Sequence, residues 1–181
     1  QLASKLPYSY GTATPSTSDN GFLWYDSNST PPVPKYWDGS SFANLNTGAG
    51  KVLQVVRATD STDRSTTSTS TVDITGMSIT ITPTSATSAI WLYFDFRVLL
   101  DPGTRVDILL ADSSNNSLSS FRLRFGGTLF ELNGAVTGYT TPATTSATTY
   151  KLRWNVASGS TAELRNGSAT SAQMMAWEIG A

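Results

Sequence analysis

The sequence predicts an all-β protein: an antiparallel, jelly-roll-like β-sandwich preceded by an extended N-terminal arm that contains a short aromatic β-hairpin. Three observations predict it. Apolar residues alternate with polar ones over short runs, which is the period of a strand with one buried face. Turn-forming clusters recur at a spacing of roughly 8–12 residues, as in sandwiches and barrels: Asp101-Pro102-Gly103, Gly126-Gly127, Ser158-Gly159-Ser160 and Asn166-Gly167. No apolar stripe with helical spacing is sustained, whereas Thr, Val, Ile and aromatic residues, which favour strands, are abundant.

The clearest strand is Ile90–Leu100. Ile90, Leu92, Phe94, Phe96, Val98 and Leu100 share one parity, with Trp91, Tyr93, Asp95, Arg97 and Leu99 on the other. Val106, Ile108 and Leu110 continue the pattern. A three-residue loop at 101–103 would set Phe96 opposite Ile108 and Arg97 opposite Asp107, matching apolar faces and opposite charges. Around Gly126-Gly127, a two-residue primed turn would pair Leu123 with Phe130, Phe121 with Leu132 and Arg122 with Glu131. Two antiparallel hairpins are therefore expected. Lys51–Thr59 is β-branched without clean parity, and Val72/Ile74 and Met77/Ile79/Ile81 read as strands bracketing Gly76. Tyr150, Leu152, Trp154 and Val156 form another alternation, Ala162–Arg165 runs into the Asn166-Gly167 turn, and Met175, Trp177 and Ile179 close the chain. Eight to ten strands are expected from Lys51 onward, enough for a jelly roll.

Residues 1–50 differ from residues 51–181, and the boundary between an N-terminal arm and the sandwich domain is placed there. Pro15, Pro31, Pro32 and Pro34 in a Ser/Asn-rich context argue against a separate compact domain. Gly21–Asp26 and Lys35–Phe42 read as two short strands, and an isolated hairpin is marginal in water. Trp24, Tyr25, Tyr36 and Trp37 would leave an aromatic surface with nothing local to cover it, so with Phe42 they are the expected assembly interface, against a neighbouring subunit or another part of an assembly, the alternative being that the segment folds back onto the main domain.

Composition narrows the chemistry. In 181 residues there is no Cys and no His, which excludes thiol nucleophiles, Ser–His–Asp triads, zinc sites of the usual ligand types and disulfide stapling. The 12 basic and 13 acidic residues give a net charge of −1, so no general case for nucleic-acid or polybasic membrane binding arises. The longest apolar run, Ile90–Leu100, is broken by Asp95 and Arg97, and no membrane insertion is expected. The chain begins at Gln1, which reads as a trimmed chain or a piece of a longer one, without a visible signal-peptide pattern. Hydroxyl residues, 25 Ser and 27 Thr, gather in Ser65–Thr71, Thr80–Ser88 and Thr140–Thr149; interleaved Val72, Ile74, Ile79 and Ile81 favour solvent-facing strand positions over a glycosylated stalk. The acceptor patterns Asn28-Ser29-Thr30, Asn115-Asn116-Ser117 and Asn166-Gly167-Ser168 are expected by chance in such a chain.

Only carboxylates could do acid–base work. Asp95 and Asp107, on adjacent strands of the expected hairpin, could form a glycosidase-like pair, but an Arg97–Asp107 ion pair explains Asp107 more simply. Asp60, Asp63 and Asp112 with Asn115 and Asn116 could offer oxygens to Ca²⁺, yet no recognisable spacing supports a site. No catalytic residue, metal or cofactor is assigned. Arg122, Arg124, Lys151 and Arg153 would form a basic stripe if their strands were neighbours, and Trp91 and Tyr93, opposite the core parity, could stack on sugar rings or lie in a subunit interface. These six are the candidate ligand contacts.

The run Gly21-Phe-Leu-Trp-Tyr-Asp26 … Lys35-Tyr-Trp-Asp-Gly-Ser-Ser-Phe42 resembles a hairpin segment common in bacteriophage tail-fibre and related virion proteins, where a G-x-L-W-x-D strand precedes x-x-W-D-G-x-x-W. This chain departs from it at Phe42 and in the loop Ser29–Pro34. Val52–Ala181 is similar to a β-sandwich domain frequent in phage structural proteins, particularly of marine phages, through Ser65–Pro83, Pro142–Tyr150 and Met175–Ala181. The resemblance implies a homotrimeric protein of the virion surface, attached to other virion proteins through residues 1–50 and exposing the sandwich for receptor binding. Three roles follow as expectations. The first is a non-enzymatic fibre that touches host-surface glycan. The second is a capsid decoration or head-fibre protein, and the third is a polysaccharide depolymerase.

Overall fold

The computed structural model describes residues 8–15, 22–28, 30, 32–45, 50–167 and 171–181. They form two units, Gln1–Ala49 and Gly50–Ala181. Gly21, Pro31 and Ser29 of the predicted hairpin and Ser168 of one acceptor pattern lie outside the described residues.

In the first unit, β1 (Tyr8–Gly11), β2 (Leu23–Asp26), β3 (Val33–Trp37) and β4 (Phe42–Asn44) make one sheet in that order. The expected hairpin is β2–β3, with Leu23 opposite Tyr36 and Trp24 opposite Lys35; β1 adds in parallel and β4 antiparallel. The Trp37-Asp38-Gly39-Ser40-Ser41-Phe42 segment is the β3–β4 turn. Gly39 takes a φ of 103°, and the Asp38 carboxylate accepts from the N–H groups of Ser40 and Ser41, both at 2.8 Å. Those donors, Ser41 first, bring its pKa down to about 2. The WDG motif thus carries turn chemistry rather than a binding group.

Among the described residues, the second unit is a jelly-roll-like sandwich of ten strands: β5 (Val52–Asp60), β6 (Arg64–Thr66), β7 (Val72–Ile81), β8 (Ala89–Leu100), β9 (Arg105–Asp112), β10 (Ser117–Arg124), β11 (Phe130–Thr140), β12 (Thr148–Val156), β13 (Ala162–Leu164) and β14 (Ala172–Ile179). One sheet runs β10-β9-β12-β7. The other is built on the long β8, which pairs with β11 along one edge and with β14 and then β13 along the other, with β5 and β6 outside them. The inward parity expected for Ile90–Leu100 holds: Ile90, Leu92, Phe94, Val98 and Leu100 have no exposed surface. They meet Met77, Val106, Ile108, Leu110 and Leu152 from the facing sheet. Val72–Ile81 is one strand, not two; Gly76, with a φ of 86°, sits in the irregular stretch between Arg153↔Asp73 and Lys151↔Ser78.

Both predicted hairpins are corrected. β8 does not pair with β9, nor β10 with β11; each connection carries the chain from one sheet to the other. Matching apolar faces do not distinguish two strands side by side from two facing each other across a sandwich, since both point to the same core. The charge pairs exchange accordingly. Arg97 Nε binds Glu131 at 2.7 Å between β8 and β11, and Arg122 Nε binds Asp107 at 2.5 Å between β10 and β9. In β14 the small residues Ala172 and Ala176 face the core with Met174 and Glu178, and the large Met175, Trp177 and Ile179 face outward.

Candidate functional site

Because β11, β8, β14 and β5 are consecutive neighbours, residues far apart in sequence line up across their outer face. Tyr139 is opposite Trp91, Trp91 opposite Trp177, and Trp177 opposite Val55. Trp91 and Trp177 have ring centroids 4.6 Å apart with their planes tilted by 39°. Trp91 is 41% exposed, Tyr139 64% and Val55 54%. The result is an apolar shelf crossing four strands. The next row is Thr137, Tyr93, Met175 and Arg57.

Beyond that row, pairing of β14 with β8 ends at Phe94, and pairing of β13 with β8 starts at Val98. The interval opens a cleft of about 580 Å³ whose lining includes Tyr93, Asp95, Arg97, Asn133, Asn166 and Gln173. The Gln173 N–H donates to Asp95 Oδ1. Gln173 Oε1 accepts from Arg57 Nε and Nη2 at 2.8 and 2.6 Å, and Gln173 Nε2 donates to the Ser171 carbonyl. Arg97 is held by Glu131. Among the described residues, the Asn133 amide, Asp95 Oδ2 and the Tyr93 hydroxyl have no partner. The surface thus combines an aromatic shelf with polar groups not engaged by other described residues, which suits a ligand with apolar C–H faces and hydroxyl edges.

The predicted ligand contacts fall on two different surfaces. Trp91 and Tyr93 belong to this face, whereas Arg122, Arg124, Lys151 and Arg153 lie on the other sheet. There the basic stripe is interrupted. β9 separates β10 from β12, Asp107 binds Arg122, and Asp73 binds Lys151 and Arg153 at 2.7 and 2.8 Å. Lys151 and Arg153, outweighing a small burial cost, hold the Asp73 carboxyl below its ordinary range, with Lys151 the larger influence. Trp177, Tyr139, Asn133 and Gln173 were not singled out by sequence. Tyr139 sits in a Gly/Thr-rich run that carries no strand signal, and no local pattern says which strands are neighbours.

The Asp95–Asp107 pair does not form. Asp95 is on the outer face of β8 and Asp107 on the outer parity of β9, in opposite sheets. Sheets stack about 10 Å apart, so outward carboxylates on the two exceed the roughly 5–9.5 Å span of glycosidase pairs. Of the Ca²⁺ candidates, Asp60 is bound by Arg64 at 2.5 Å and by the Asn166 amide at 3.0 Å. Asp112 accepts from Ser114, Asn116 N–H and the Asn116 amide of its own loop. Among the described residues no group of three acidic side chains is placed to hold a metal. Asn166 is 1% exposed and bonded to Asp60, which removes it as a glycosylation acceptor in the folded chain.

The five expected interface aromatics also divide. Trp24, Trp37 and Phe42 share one face of the N-terminal sheet, where both indoles stand edge-on to Phe42 at 5.2 Å. Trp24 is only 3% exposed, donates its indole N–H to the Gly11 carbonyl at 3.1 Å, and lies under the Lys35 ammonium. For Trp24 the expectation that nothing local covers it is corrected, whereas Trp37 and Phe42 are half-buried. Tyr25 and Tyr36 point to the other face with Leu23 and Tyr10, all exposed.

No protein-family model matches the chain, and no curated protein matches it. Among solved structures it is similar to a mutant VP2 protein of infectious bursal disease virus in derived T=1 particles, at 14% identity and a TM-score of 0.37, over 93% of this chain and 44% of that one. The VP2 subviral particle of the same virus matches at 14% identity and a TM-score of 0.37, over 93% and 46%. TmCBM61 in complex with β-1,4-galactotriose matches at 12% identity and a TM-score of 0.24, over 77% and 79%. The chain spans less than half the length of those two VP2 chains.

Proposed function

We propose that this chain is a non-enzymatic surface protein of a bacteriophage virion, of the fibre type and homotrimeric. Its N-terminal unit attaches to other virion proteins, and its sandwich binds a glycan of the host surface. The carrying observation is the Tyr139–Trp91–Trp177 shelf beside a cleft with free hydrogen-bonding groups. Pyranose rings have one apolar C–H face that packs on indole and phenol rings, while their hydroxyls need exact polar partners. Separation of Asp95 from Asp107 supports binding over hydrolysis. The exposed Tyr10, Leu23, Tyr25 and Tyr36 face supports a contact surface on the N-terminal unit.

The test is binding of the purified chain to host-surface polysaccharide, with Trp91→Ala and Trp177→Ala beside the parent. Retention of the parent, and loss of at least about tenfold in affinity for each variant, is expected. Unchanged binding by both variants, or release of reducing ends from the polysaccharide, would refute this reading. Sedimentation at micromolar concentration is expected to give a trimer. Antibody labelling of particles should mark the tail; labelling of the shell would instead indicate a decoration protein.

A further inference from the structure

The polar half of the face bears on which glycan it takes, a question that rests on the glycan-binding reading above. Three charged groups border the cleft on the outer face, and their partners differ. Arg97 is neutralised by Glu131 at 2.7 Å. Arg57, on β5, turns its guanidinium onto the Gln173 amide oxygen, with β14 between it and β8. Asp95, on β8 itself, keeps Oδ2 unpartnered among the described residues while Oδ1 is held by the Gln173 N–H. Among the residues that line the cleft, the open charge is therefore negative; Arg57, whose positive charge an amide oxygen does not neutralise, stands outside the lining on β5. Asn133 lies diagonally across from Asp95, since Ala135 is its direct partner and Asn133 pairs with Arg97. Diagonal neighbours on one face are within about 7–8 Å, so a carboxylate oxygen and an amide can bond adjacent hydroxyls of one sugar. From Trp91 to Asp95 is four residues along one strand, about 13 Å, too far for a single ring to cover both.

We infer that the ligand is a neutral oligosaccharide lying along β8, one ring against the Trp91–Trp177 shelf and the adjacent hydroxyls of another bonded to Asp95 Oδ2 and the Asn133 amide. A glycan with carboxylates would bring like charge against Asp95, so acidic polysaccharides are the disfavoured class.

The test titrates the full chain, by tryptophan fluorescence and calorimetry, with β-1,4-linked gluco-, manno- and galacto-oligosaccharides. Each is set beside its counterpart whose C6 hydroxymethyl groups have been oxidised to carboxylates, so that each pair differs only at C6. At least one neutral member is expected to bind, with its oxidised counterpart weaker by about tenfold. Asp95→Asn should close that gap, because the Asn oxygen still accepts from Gln173 while the charge is gone. Asn133→Ala, at an exposed position, should weaken the neutral ligand with unchanged thermal stability. Equal or tighter binding of the oxidised member, still lost in Trp91→Ala, would overturn the neutral class and leave the glycan face standing. Failure of the whole panel would overturn this inference; the host-polysaccharide experiment above would then decide whether the broader reading falls with it.

Discussion

Glu178 offers a prediction whose size can be worked from the structure. It lies on the core parity of β14 and has no exposed surface. One oxygen accepts from the Thr84 N–H and Thr84 hydroxyl, both at 2.8 Å, and from the Ser85 N–H at 3.3 Å; the other accepts from Gln54 Nε2 at 2.6 Å. The carboxylate therefore ties the β7–β8 crossing between sheets to β14 and β5. Burial pushes its pKa up, but the Gln54 and Thr84 donors outweigh burial and bring it from 4.5 down to about 2. A pKa lowered on folding means that the stabilisation is complete above the unfolded value and is lost as pH falls toward the folded one. At 1.36 kcal/mol per unit the full contribution is about 3 kcal/mol, of which about 2 kcal/mol has gone by pH 3. Glu178→Gln keeps one acceptor but loses the charge. Urea unfolding followed by tryptophan fluorescence should show the variant less stable by about 2–3 kcal/mol at pH 7. The gap should narrow to about 1 kcal/mol at pH 3. Other carboxylates titrate in both proteins and cancel in the difference. A gap that stays constant from pH 7 to pH 3 would refute the reasoning, because the carboxylate charge would then not be its source.

Two further outcomes test the architecture. At Gly76 an added Cβ would meet Arg64 Nη2 at 2.6 Å and Asp60 Oδ1 at 2.7 Å at a φ of 86°; Gly76→Ala should lower stability by about 2–3 kcal/mol in urea unfolding, and a neutral effect would mean that the bulge is not constrained as described. A double-mutant cycle between Arg97 and Glu131 should give a coupling of about 0.2–1 kcal/mol, as for other half-exposed pairs, and the cycle between Arg97 and Asp107 none. The reverse result would restore the β8–β9 hairpin.

Much of the sandwich was legible along the chain. The β8, β9, β10, β12 and β14 segments announced themselves by alternation, which is local and needs no partner. β6 was hidden in a Ser/Thr tract, and most of β11 in a run whose Gly134 and Gly138 sit where the core leaves no room: a Cβ would stand 2.8 Å from Phe96 and 2.7 Å from Leu110. Of the candidate site, Trp91 and Tyr93 were found by parity alone. Trp177 and Tyr139 could not be joined to them, because their adjacency depends on strand pairings that bring them beside Trp91 from 86 and 48 positions away in the chain. In the N-terminal unit the aromatic hairpin was visible, but the division of its rings between a local cluster and an open face required β4, which brings Phe42 between Trp24 and Trp37.

By itself, then, the sequence determined where most of the strands run, which side of β8, β9 and β12 faces the core, and that no Cys or His chemistry is available. Each of these depends on residue type and a two-residue period. The tertiary structure alone decided which strands hydrogen-bond. An apolar face points to the core whether the matching strand lies beside it or across the sandwich, and backbone edges leave no mark in side-chain order. That choice of neighbours moved Arg97 to Glu131, parted Asp95 from Asp107, and brought Tyr139, Trp91 and Trp177 into one row.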